Sequence, residues 1–387
     1  MSMHRSRRPA IRGQKWQASR WVLVAAALSY MLPAVQAASC VAGNSLRVVQ
    51  SIDLSGPQRW VGVEYAEGAQ LLLRRVNRNG GVNGKTVDMS VIDDKFDPKQ
   101  TAANVGSATM SSVCAVFGTM GTGHTMAAIQ AAENVPVVAP LTGTAAVRKP
   151  TDGKAFFVRG TYNDEVRAII RHAKAVGLTR FALVVPSDSF GSPIIPVYRD
   201  AVEKEGGKDV ALLSVPSVNT TEFGQVVEAL RAATPDVVIA YLSQTFPEFI
   251  AAYRQAGLAA QVYTISLAYG TKLMEIKSEY LRGIGITQTT PSPWDRTRPV
   301  AREFLEAQRA DGEKAPVSFA AIEGYIGAKL LVEALKRAGK EPSPESVRRA
   351  LRDMPQIDLG GFVVPNRGEG LSYVEIGVLD KDGRYRR

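Results

Sequence analysis

The chain alternates short apolar runs with segments of helical periodicity, and this alternation limits the possible folds more than any other feature. Leu46–Ile52 is an apolar run that ends in a turn, and Val61–Arg78 then carries apolar residues three and four positions apart. The alternation starts again near Phe156–Val158, continues with a helix at Asn163–Val176 and ends near Gln288. Strands that alternate with helices form parallel sheets covered by helices on both faces. We therefore predict an α/β protein with two doubly wound parallel-sheet lobes.

A proline-rich segment, Thr289–Trp294, interrupts the second stretch, and the helices that follow it bring no new sheet. These helices need a sheet to cover, and the first lobe offers one. The chain then closes with a strand at Tyr373–Leu379. We infer at least two crossings between the lobes, near residues 159 and 290, with a third near 365, and together they would form a multi-strand hinge. The predicted divisions are residues 1–37 as a signal peptide, 38–158 plus 292–358 as the N-terminal lobe, and 159–291 plus 359–387 as the C-terminal lobe.

Two turns rich in threonine and glycine follow consecutive predicted strands. The strand Val113–Phe117 leads into Gly118–Thr125, and the strand Val135–Ala139 leads into Pro140–Thr144. A helix predicted at Met126–Ala132 follows the first turn, and the first N–H groups of a helix attract anions because they lack internal partners. The carboxyl ends of neighbouring parallel strands share one sheet edge, where open α/β folds bind ligands. The pair therefore predicts an anion site in the cleft between the lobes, although either turn alone could be a connection that binds nothing.

The N-terminus is typical of a secretory signal peptide. The net charge is +10, and more than half of it comes from six arginines and lysines among the first twenty residues, which contain no acid. The apolar run Trp21–Leu32 is short for a membrane span of about 20 residues. It precedes the small-residue cleavage motif Val35–Ala37, so we predict cleavage after Ala37 and export to the periplasm. The remaining basic residues are spread along the chain, which argues against nucleic-acid binding.

The sequence has two cysteines, Cys40 and Cys114, and both precede predicted strands. An exported protein meets an oxidising compartment, so an even pair favours one disulfide. Closing a loop of this length would stabilise the fold by about 4 kcal/mol in the chain-entropy account. The alternative is a lipidated Cys40 at the mature N-terminus, although Ala37–Ser39 lacks the leucine that a lipobox usually carries.

The chain lacks most of the residue patterns that catalysis uses. Its three histidines are His4, His124 and His172, and only His124 lies in a predicted turn of the anion site, where it either contacts a ligand or caps the turn. There is no Gly-x-Ser-x-Gly or His-Glu-x-x-His motif, and no second histidine or cysteine stands at metal-ligand spacing. The glycines of the Gly118–Gly123 turn have the reverse of the dinucleotide-binding spacing. We predict no cofactor, no metal and no enzymatic activity.

Short motifs in a fixed order along the mature chain carry a resemblance to a known family. They are Leu54–Pro57, Asn77–Gly84, Asp93–Pro98, Val116–Gly118, Pro136–Gly143, Arg159 with Tyr162, Phe190–Gly191, Glu323–Tyr325 and Gly360–Phe362. Together they resemble the type I periplasmic substrate-binding proteins of ABC importers, of the leucine/isoleucine/valine-binding kind. The resemblance implies two α/β lobes that close on a small ligand by a hinge motion, like a Venus flytrap, without catalysis. It also implies a monomer whose partners are the permease and ATPase subunits of the importer.

The resemblance further implies where the ligand binds. In this family the carboxylate of an amino-acid ligand lies against the first-lobe turns, and the second lobe supplies aromatic residues and an acid. The implied ligand-binding residues are Trp60, Met120, Gly121, Thr122, Gly123, Leu141, Thr142, Gly143, Tyr162, Phe190, Thr245, Ser266 and Tyr269. The Thr122 hydroxyl and the backbone N–H groups of Thr122 and Gly143 are the expected carboxylate contacts.

The segment Thr264–Gly270 departs from the family, because it has no acid where amino-acid binders hold the ammonium of the ligand. Burying an unpaired ammonium costs several kcal/mol. We therefore expect another small carboxylate with an aliphatic or aromatic body, against which Tyr162 and Tyr269 could stack. Two other functions stay open, an extracellular sensor of the same fold and a secreted enzyme on the same scaffold.

Overall fold

The computed structural model describes residues 1, 39–148, 153–268, 270–365 and 373–386. Residues 37–387 form one compact unit, and the fold given below is the fold of that unit. Apart from Met1, the predicted signal peptide and its cleavage site lie outside the described residues, and so does Tyr269.

The first α/β run builds the sheet of the N-terminal lobe. Its elements are β1 (Val41–Ala42), β2 (Ser45–Ile52), α1 (Arg59–Arg78), β3 (Thr86–Asp93), α2 (Pro98–Met110), β4 (Ala115–Phe117), α3 (Thr122–Ala131), β5 (Val137–Val138) and β6 (Ala155–Phe156). Strand β2 pairs in parallel with both β3 and β4, and β5 and β6 continue the parallel sheet from β4. The short β1 pairs antiparallel with the start of β2.

The second run builds the sheet of the C-terminal lobe in the same way. Its elements are α4 (Tyr162–Ala175), β7 (Arg180–Pro186), α5 (Ile194–Lys204), β8 (Lys208–Val215), α6 (Gly224–Ala233), β9 (Val237–Ala240), α7 (Phe246–Gln255), β10 (Gln261–Thr264), α8 (Ser278–Leu281) and β11 (Gly285–Gln288). The strands are parallel in the order β11-β10-β9-β7-β8. The predicted α/β architecture with two parallel-sheet lobes is therefore confirmed.

After β11 the chain returns to the first lobe. It forms α9 (Pro299–Ala310), α10 (Phe319–Arg337), α11 (Pro344–Asp353) and a hairpin of β12 (Gln356–Asp358) and β13 (Val363–Pro365). Phe304 of α9 and Ile326 of α10 share one core with Val48 of β2, so these helices cover the first sheet. Leu359 and Phe362 of the hairpin lie in the same core. We therefore propose that the third crossing falls after Pro365 rather than at the predicted boundary of 359.

The last strands, β14 (Glu375–Leu379) and β15 (Tyr385–Arg386), extend the second sheet antiparallel to β11. The direction follows from the hinge. Strand β11 leaves its lobe at its carboxyl end, and a chain that comes back through the hinge enters at that same end, so it must run the opposite way. The second sheet therefore carries antiparallel strands at the edge next to β11, whereas the outer strands β3 and β6 of the first sheet are parallel to their neighbours.

Local rules explain the helix starts. Helix α2 begins at Pro98, and the Asp97 carboxylate accepts a hydrogen bond from the Lys99 N–H at 2.9 Å, as an N-cap does. Helix α3 begins at Thr122, four residues before the predicted Met126. Gly121 precedes it with φ of +99°, a conformation that glycine adopts readily, and threonine and glycine are weak helix formers whose helical state the sequence pattern did not reveal.

The predicted disulfide is confirmed. Cys40 and Cys114 are bonded and fully buried, with their Cα atoms 5.0 Å apart. The Cys114 N–H also donates to the Arg47 carbonyl at 2.7 Å, which aligns the start of β4 beside β2. A sulfur atom in a disulfide cannot also form a thioether to lipid, so this structure does not support the lipidated alternative.

Candidate functional site

A cavity of about 240 Å³ lies between the two lobes. The residues that line it are Gln58, Phe96, Pro98, Met120, Gly121, Thr122, Gly123, His124, Tyr162, Asp188, Ser189, Phe190, Val218, Asn219, Ser243 and Leu267. Each of them lies in a segment that follows the carboxyl end of a strand, which is where open α/β sheets bind ligands. A larger cavity of about 650 Å³ is bordered by Trp294, Val317 and Tyr385 but touches neither threonine–glycine turn, so we assign the ligand site to the smaller one.

The two threonine–glycine turns lie side by side, as the sequence predicts. Met120 and Leu141 form a parallel β-bridge beyond the ends of β4 and β5. The Leu141 N–H donates to the Thr119 carbonyl at 2.7 Å, and the Gly121 N–H donates to the Leu141 carbonyl at 3.1 Å. The first turn faces the cavity, and the second lies directly behind it.

The N-terminus of α3 opens on the cavity at Thr122. The first backbone N–H of this helix to find a carbonyl in the preceding turn is that of Thr125, which donates to Gly121 at 3.0 Å. The N–H groups of Thr122, Gly123 and His124 therefore remain for a ligand. The Thr122 hydroxyl lies 2.7 Å from the Thr144 hydroxyl and 3.3 Å from that of Thr142, so a buried threonine cluster supports the turn.

Tyr162, at the start of α4 in the second lobe, contacts the second threonine–glycine turn at Gly143. Its N–H donates to the Gly143 carbonyl at 2.8 Å, and its ring lies so close that a Cβ on Gly143 would come within 2.5 Å of it. Only glycine fits at position 143. The Tyr162 ring also meets the rings of Phe190 and Tyr241 edge to face, and these two stack on each other with centroids 4.6 Å apart. The cavity thus has a rigid aromatic wall on its second-lobe side.

Asp188 is the one acid among the described residues that line the cavity, and none of those residues is a lysine or arginine. Its carboxylate accepts hydrogen bonds from the N–H groups of Phe190 at 3.0 Å, Gly191 at 3.1 Å and Val218 at 2.8 Å. Both carboxylate oxygens therefore hold the loops that follow β7 and β8, and these bonds place the Phe190 ring.

His124 lies on the first-lobe wall and stacks on Phe96 with centroids 4.4 Å apart. Burial lowers the pKa of His124, although the charge of Asp94 acts in the opposite direction. Burial likewise raises the pKa of Asp94, against the hydrogen bonds that its carboxylate accepts from Thr101, Phe96 and Ser51. Burial on this wall therefore favours the neutral form of His124.

A buried charged cluster joins the lobes behind the cavity. Arg159, between β6 and α4, lies 3.6 Å from Glu165 of α4 in the second lobe and 3.6 Å from Glu323 of α10 in the first. Ser266 belongs to this cluster, because its hydroxyl hydrogen-bonds Arg159 and Glu165 and its N–H donates to Glu165 at 2.8 Å. Thr287 of β11 donates to the same carboxylate. The cluster connects elements of both lobes at the hinge.

The structure places the sequence-predicted site residues in four groups. Those on the cavity wall are Met120, Gly121, Thr122, Gly123, Tyr162 and Phe190. Those buried directly behind the wall are Leu141, Thr142 and Gly143. Trp60 and Thr245 border a neighbouring cavity of about 400 Å³ instead, and Ser266 lies in the hinge cluster. Tyr269 lies outside the described residues.

Sequence reasoning missed several wall residues. They are Gln58, Phe96, Pro98, Asp188, Ser189, Val218, Asn219, Ser243 and Leu267, and it left His124 undecided. The signal was present, because each of them follows a predicted strand within a few residues. Glycine and threonine single out only the turns after β4 and β5, whereas the rule that ligands bind at the carboxyl ends of the strands holds for the whole sheet. Applied to every parallel strand, the same rule would have pointed to Gln58, Asp188 and Ser243.

Within the described residues, no group of three or more histidine, cysteine, aspartate or glutamate side chains could hold a metal ion. The same residues contain no helix with the length and apolar character that crossing a bilayer requires.

Comparison with known proteins identifies the family. The sequence profile of the periplasmic binding protein family matches residues 45–381. The leucine-, isoleucine-, valine-, threonine- and alanine-binding protein of Pseudomonas aeruginosa is 22% identical over 318 residues, covering 81% of this chain and 83% of that protein. A crystal structure of a substrate-binding periplasmic protein from Ralstonia solanacearum is 30% identical with a TM-score of 0.81, covering 88% of this chain and 99% of that one.

A solute-binding protein of an ABC transporter from R. palustris, crystallised with benzoate, has a TM-score of 0.77 at 17% identity, covering 88% of this chain and 95% of that one. At that identity the likeness concerns the fold alone. The family profile, by contrast, spans nearly the whole chain after the predicted signal peptide. The resemblance inferred from the sequence motifs is confirmed, and this chain belongs to the periplasmic binding protein family, with the type I fold of the leucine/isoleucine/valine-binding proteins.

Proposed function

We propose that this protein is an exported solute-binding protein that captures a small carboxylate-bearing ligand, an amino acid or a related organic acid, between its lobes. It delivers this ligand to the permease and ATPase subunits of an ABC importer, acts as a monomer and catalyses no reaction. Its family supports a solute-binding role and export to the periplasm. Cleavage of the signal peptide after Ala37 is part of the proposal.

The observation that carries the proposal is the free N-terminus of α3 at Thr122, on the wall of a cavity between two lobes. Backbone N–H groups and the helix dipole at such a terminus favour an anion. The Thr122 hydroxyl and the N–H groups of Thr122 and Gly123 are the proposed carboxylate contacts. The N–H of Gly143 is the other contact expected from the sequence, and Gly143 lies behind the cavity wall in this structure. Tyr162 and Phe190 offer aromatic surface for the ligand body.

The ligands named for the relatives support a ligand with a carboxylate, but they differ in the rest of the molecule. The Pseudomonas aeruginosa protein binds leucine, isoleucine, valine, threonine and alanine by its name, and the R. palustris protein was solved with benzoate. These ligands share a carboxylate, and the amino acids differ from benzoate in carrying an ammonium group. The absence of an acid in Thr264–Ile265–Ser266–Leu267–Ala268–Tyr269–Gly270 favours a ligand without an ammonium, because an unpaired buried ammonium costs several kcal/mol.

A thermal-shift screen of the mature chain, starting at Ala38, tests the proposal with amino acids, aliphatic acids and aromatic acids. A ligand at 100 times its dissociation constant should stabilise the protein by about 2.7 kcal/mol. The variant Thr122→Val should lose this response, whereas the matched control Thr109→Val should keep it, because Thr109 of α2 bonds only the Gly106 carbonyl. Failure of every carboxylate to bind, or turnover of a bound compound, would refute the proposal.

Two further measurements separate the transport role from the alternatives. N-terminal sequencing of protein from the periplasmic fraction should find Ala38 as the first residue. Cells that lack the protein should lose uptake of the ligand, whereas a sensor would alter a signalling response and leave uptake intact.

A further inference from the structure

Gln58 is held rigidly at the edge of the cavity. The buried Asp53 carboxylate accepts the Gln58 N–H at 2.7 Å, the Gly56 N–H at 2.5 Å and the Ser55 N–H at 3.2 Å. These bonds fix the loop between β2 and α1. The Gln58 side chain is only 6% exposed and lines the cavity. A side chain fixed in this way can select among ligands, because it cannot move to suit another one.

The amide of Gln58 has one hydrogen-bonding atom left. Its Nε2 donates across the cleft to the Ser243 hydroxyl at 2.9 Å and to the Gln244 side-chain carbonyl. The Gln244 Nε2 in turn donates to Asn219 Oδ1 at 2.6 Å, so the three amides form one chain across the cleft. In this arrangement no described residue donates to Gln58 Oε1. Because Gln58 lines the cavity, this oxygen is a candidate acceptor for a ligand.

The second-lobe side of the cavity is polar but largely neutral. Ser189, Asn219 and Ser243 line it with hydroxyl and amide groups. The carboxylate of Asp188, the one acid on the wall among the described residues, already accepts three backbone N–H bonds. An ammonium group would therefore have to share a carboxylate that builds the loops, whereas a hydroxyl group would meet an open acceptor at Gln58.

We propose that Gln58 is a specificity-determining residue and that the ligand is a small carboxylate that carries a hydroxyl group, which donates to Gln58 Oε1. This inference rests on the proposed function, because it takes the carboxylate to lie at the N-terminus of α3. The inference adds a hydroxyl group, bound by Gln58, to the carboxylate that the proposed function already assigns to the ligand.

Matched ligands test the inference in the wild-type mature protein. Titration calorimetry compares 4-methylpentanoate, 2-hydroxy-4-methylpentanoate and leucine, which share one carbon skeleton, and benzoate with its three monohydroxy derivatives. One buried hydrogen bond contributes about 1 kcal/mol, so at least one hydroxy acid should bind roughly five- to tenfold more tightly than its parent. Equal affinities within both series would overturn the inference and leave the proposed function standing. Failure of all carboxylates to bind would refute the proposed function itself.

Variants assign the preference to the residue. Gln58→Met keeps the length of the side chain and removes the amide, so the ratio of hydroxy-acid to parent-acid affinity should fall to about one. The control Gln70→Met, in the helix α1 that follows Gln58, removes an amide that bonds the Met89 carbonyl away from the cavity, and it should leave the ratio unchanged. A preference that survives Gln58→Met would overturn the assignment.

The affinity of leucine tests the competing explanation, in which the ligand carries an ammonium group. If leucine binds more tightly than both related acids and Asp188→Asn abolishes that advantage, the second recognised group is an ammonium on Asp188, and the inference is wrong. The wild-type comparison decides the ligand class even if a variant fails to fold, because it needs no substitution.

Discussion

Arg159→Met is the substitution whose consequence follows most directly from the structure. Arg159 is fully buried between Glu165 and Glu323, at 3.6 Å from each. Methionine keeps much of the side-chain length and removes the charge. Glu165 would retain its hydrogen bonds from Ser266 and Thr287. Glu323 would lose its ion-pair partner, and it would be left as a buried carboxylate on α10.

The magnitude can be worked from these distances. At 3.6 Å and an effective dielectric constant of about 20, each ion pair contributes about 4 to 5 kcal/mol of Coulomb attraction. Desolvation of the buried charges offsets most of this attraction, so the cluster as a whole adds little to stability. Removing one partner is different, because a charge then stays buried without compensation, and we expect a loss of about 3 to 5 kcal/mol.

The variant also predicts a pH dependence. Burial raises the pKa of Glu323, and Arg159 acts in the opposite direction, so the substitution should raise it further. An acid whose pKa is higher in the folded protein than in the unfolded chain contributes stability at low pH, and this contribution is lost as the pH rises through the folded-state pKa. The difference in stability between wild type and Arg159→Met should therefore be large at pH 7.5 and narrow towards pH 5.

Urea denaturation of the oxidised mature protein at both pH values measures these effects. The control Arg337→Met removes the exposed i,i+4 pair with Glu333 on the same α10 and should cost less than about 0.5 kcal/mol. A loss below about 1 kcal/mol for Arg159→Met, or a loss independent of pH, would show that the charges are not buried together as described.

Three further predictions follow from single features. Replacing both Cys40 and Cys114 by serine should lower the free energy of unfolding by about 4 kcal/mol, because the unfolded chain gains freedom, and a reductant should bring the wild type to the same value in denaturant titrations. Gly143→Ala should lower the free energy of unfolding by about 1 to 3 kcal/mol through contact with the Tyr162 ring, and by less in a Tyr162→Ala background. The control Gly106→Ala has open space around its Cβ and should cause no loss, and calorimetry measures all of these variants. The pKa of His124 is lowered by burial, so its contribution to stability is present above about pH 6.5 and is lost as the pH falls through the lower folded-state pKa. Lowering the pH from 7.5 to 5.5 should therefore decrease the melting temperature of the wild type and of the control His172→Gln more than that of His124→Phe. Equal decreases in all three proteins would contradict this account.

Periodicity predicted long, strongly patterned elements well: the helix expected at Val61–Arg78 is α1, Arg59–Arg78. It failed at α3, because Thr122 and Gly123 are weak helix formers, and the helix starts there only because Gly121 can adopt a positive φ. It also gave no sign of the β12–β13 hairpin, whose apolar side chains Leu359 and Phe362 are defined by the core they enter.

The residues of the candidate site also differ in how far the sequence could predict them. The turn Met120–Gly123 could be found from composition, because glycine and threonine after a buried strand have few other uses. Ser266 could not be assigned, because its neighbours in space, Arg159 and Glu165, are about a hundred positions away in the chain. Gln58 could be placed near the site because it follows β2, but its hydrogen bonds could not be predicted, since its partners Ser243 and Gln244 belong to the other lobe.

By itself, the sequence determined the two α/β lobes, the disulfide partners and the two adjacent threonine–glycine turns, because these depend on local periodicity, on a cysteine count and on residues adjacent in the chain. Only the tertiary structure decided which second-lobe groups reach the cavity and which are buried in the hinge. Those contacts join residues that are distant in sequence, and a segment such as Thr264–Gly270 has the same composition whichever way its side chains turn.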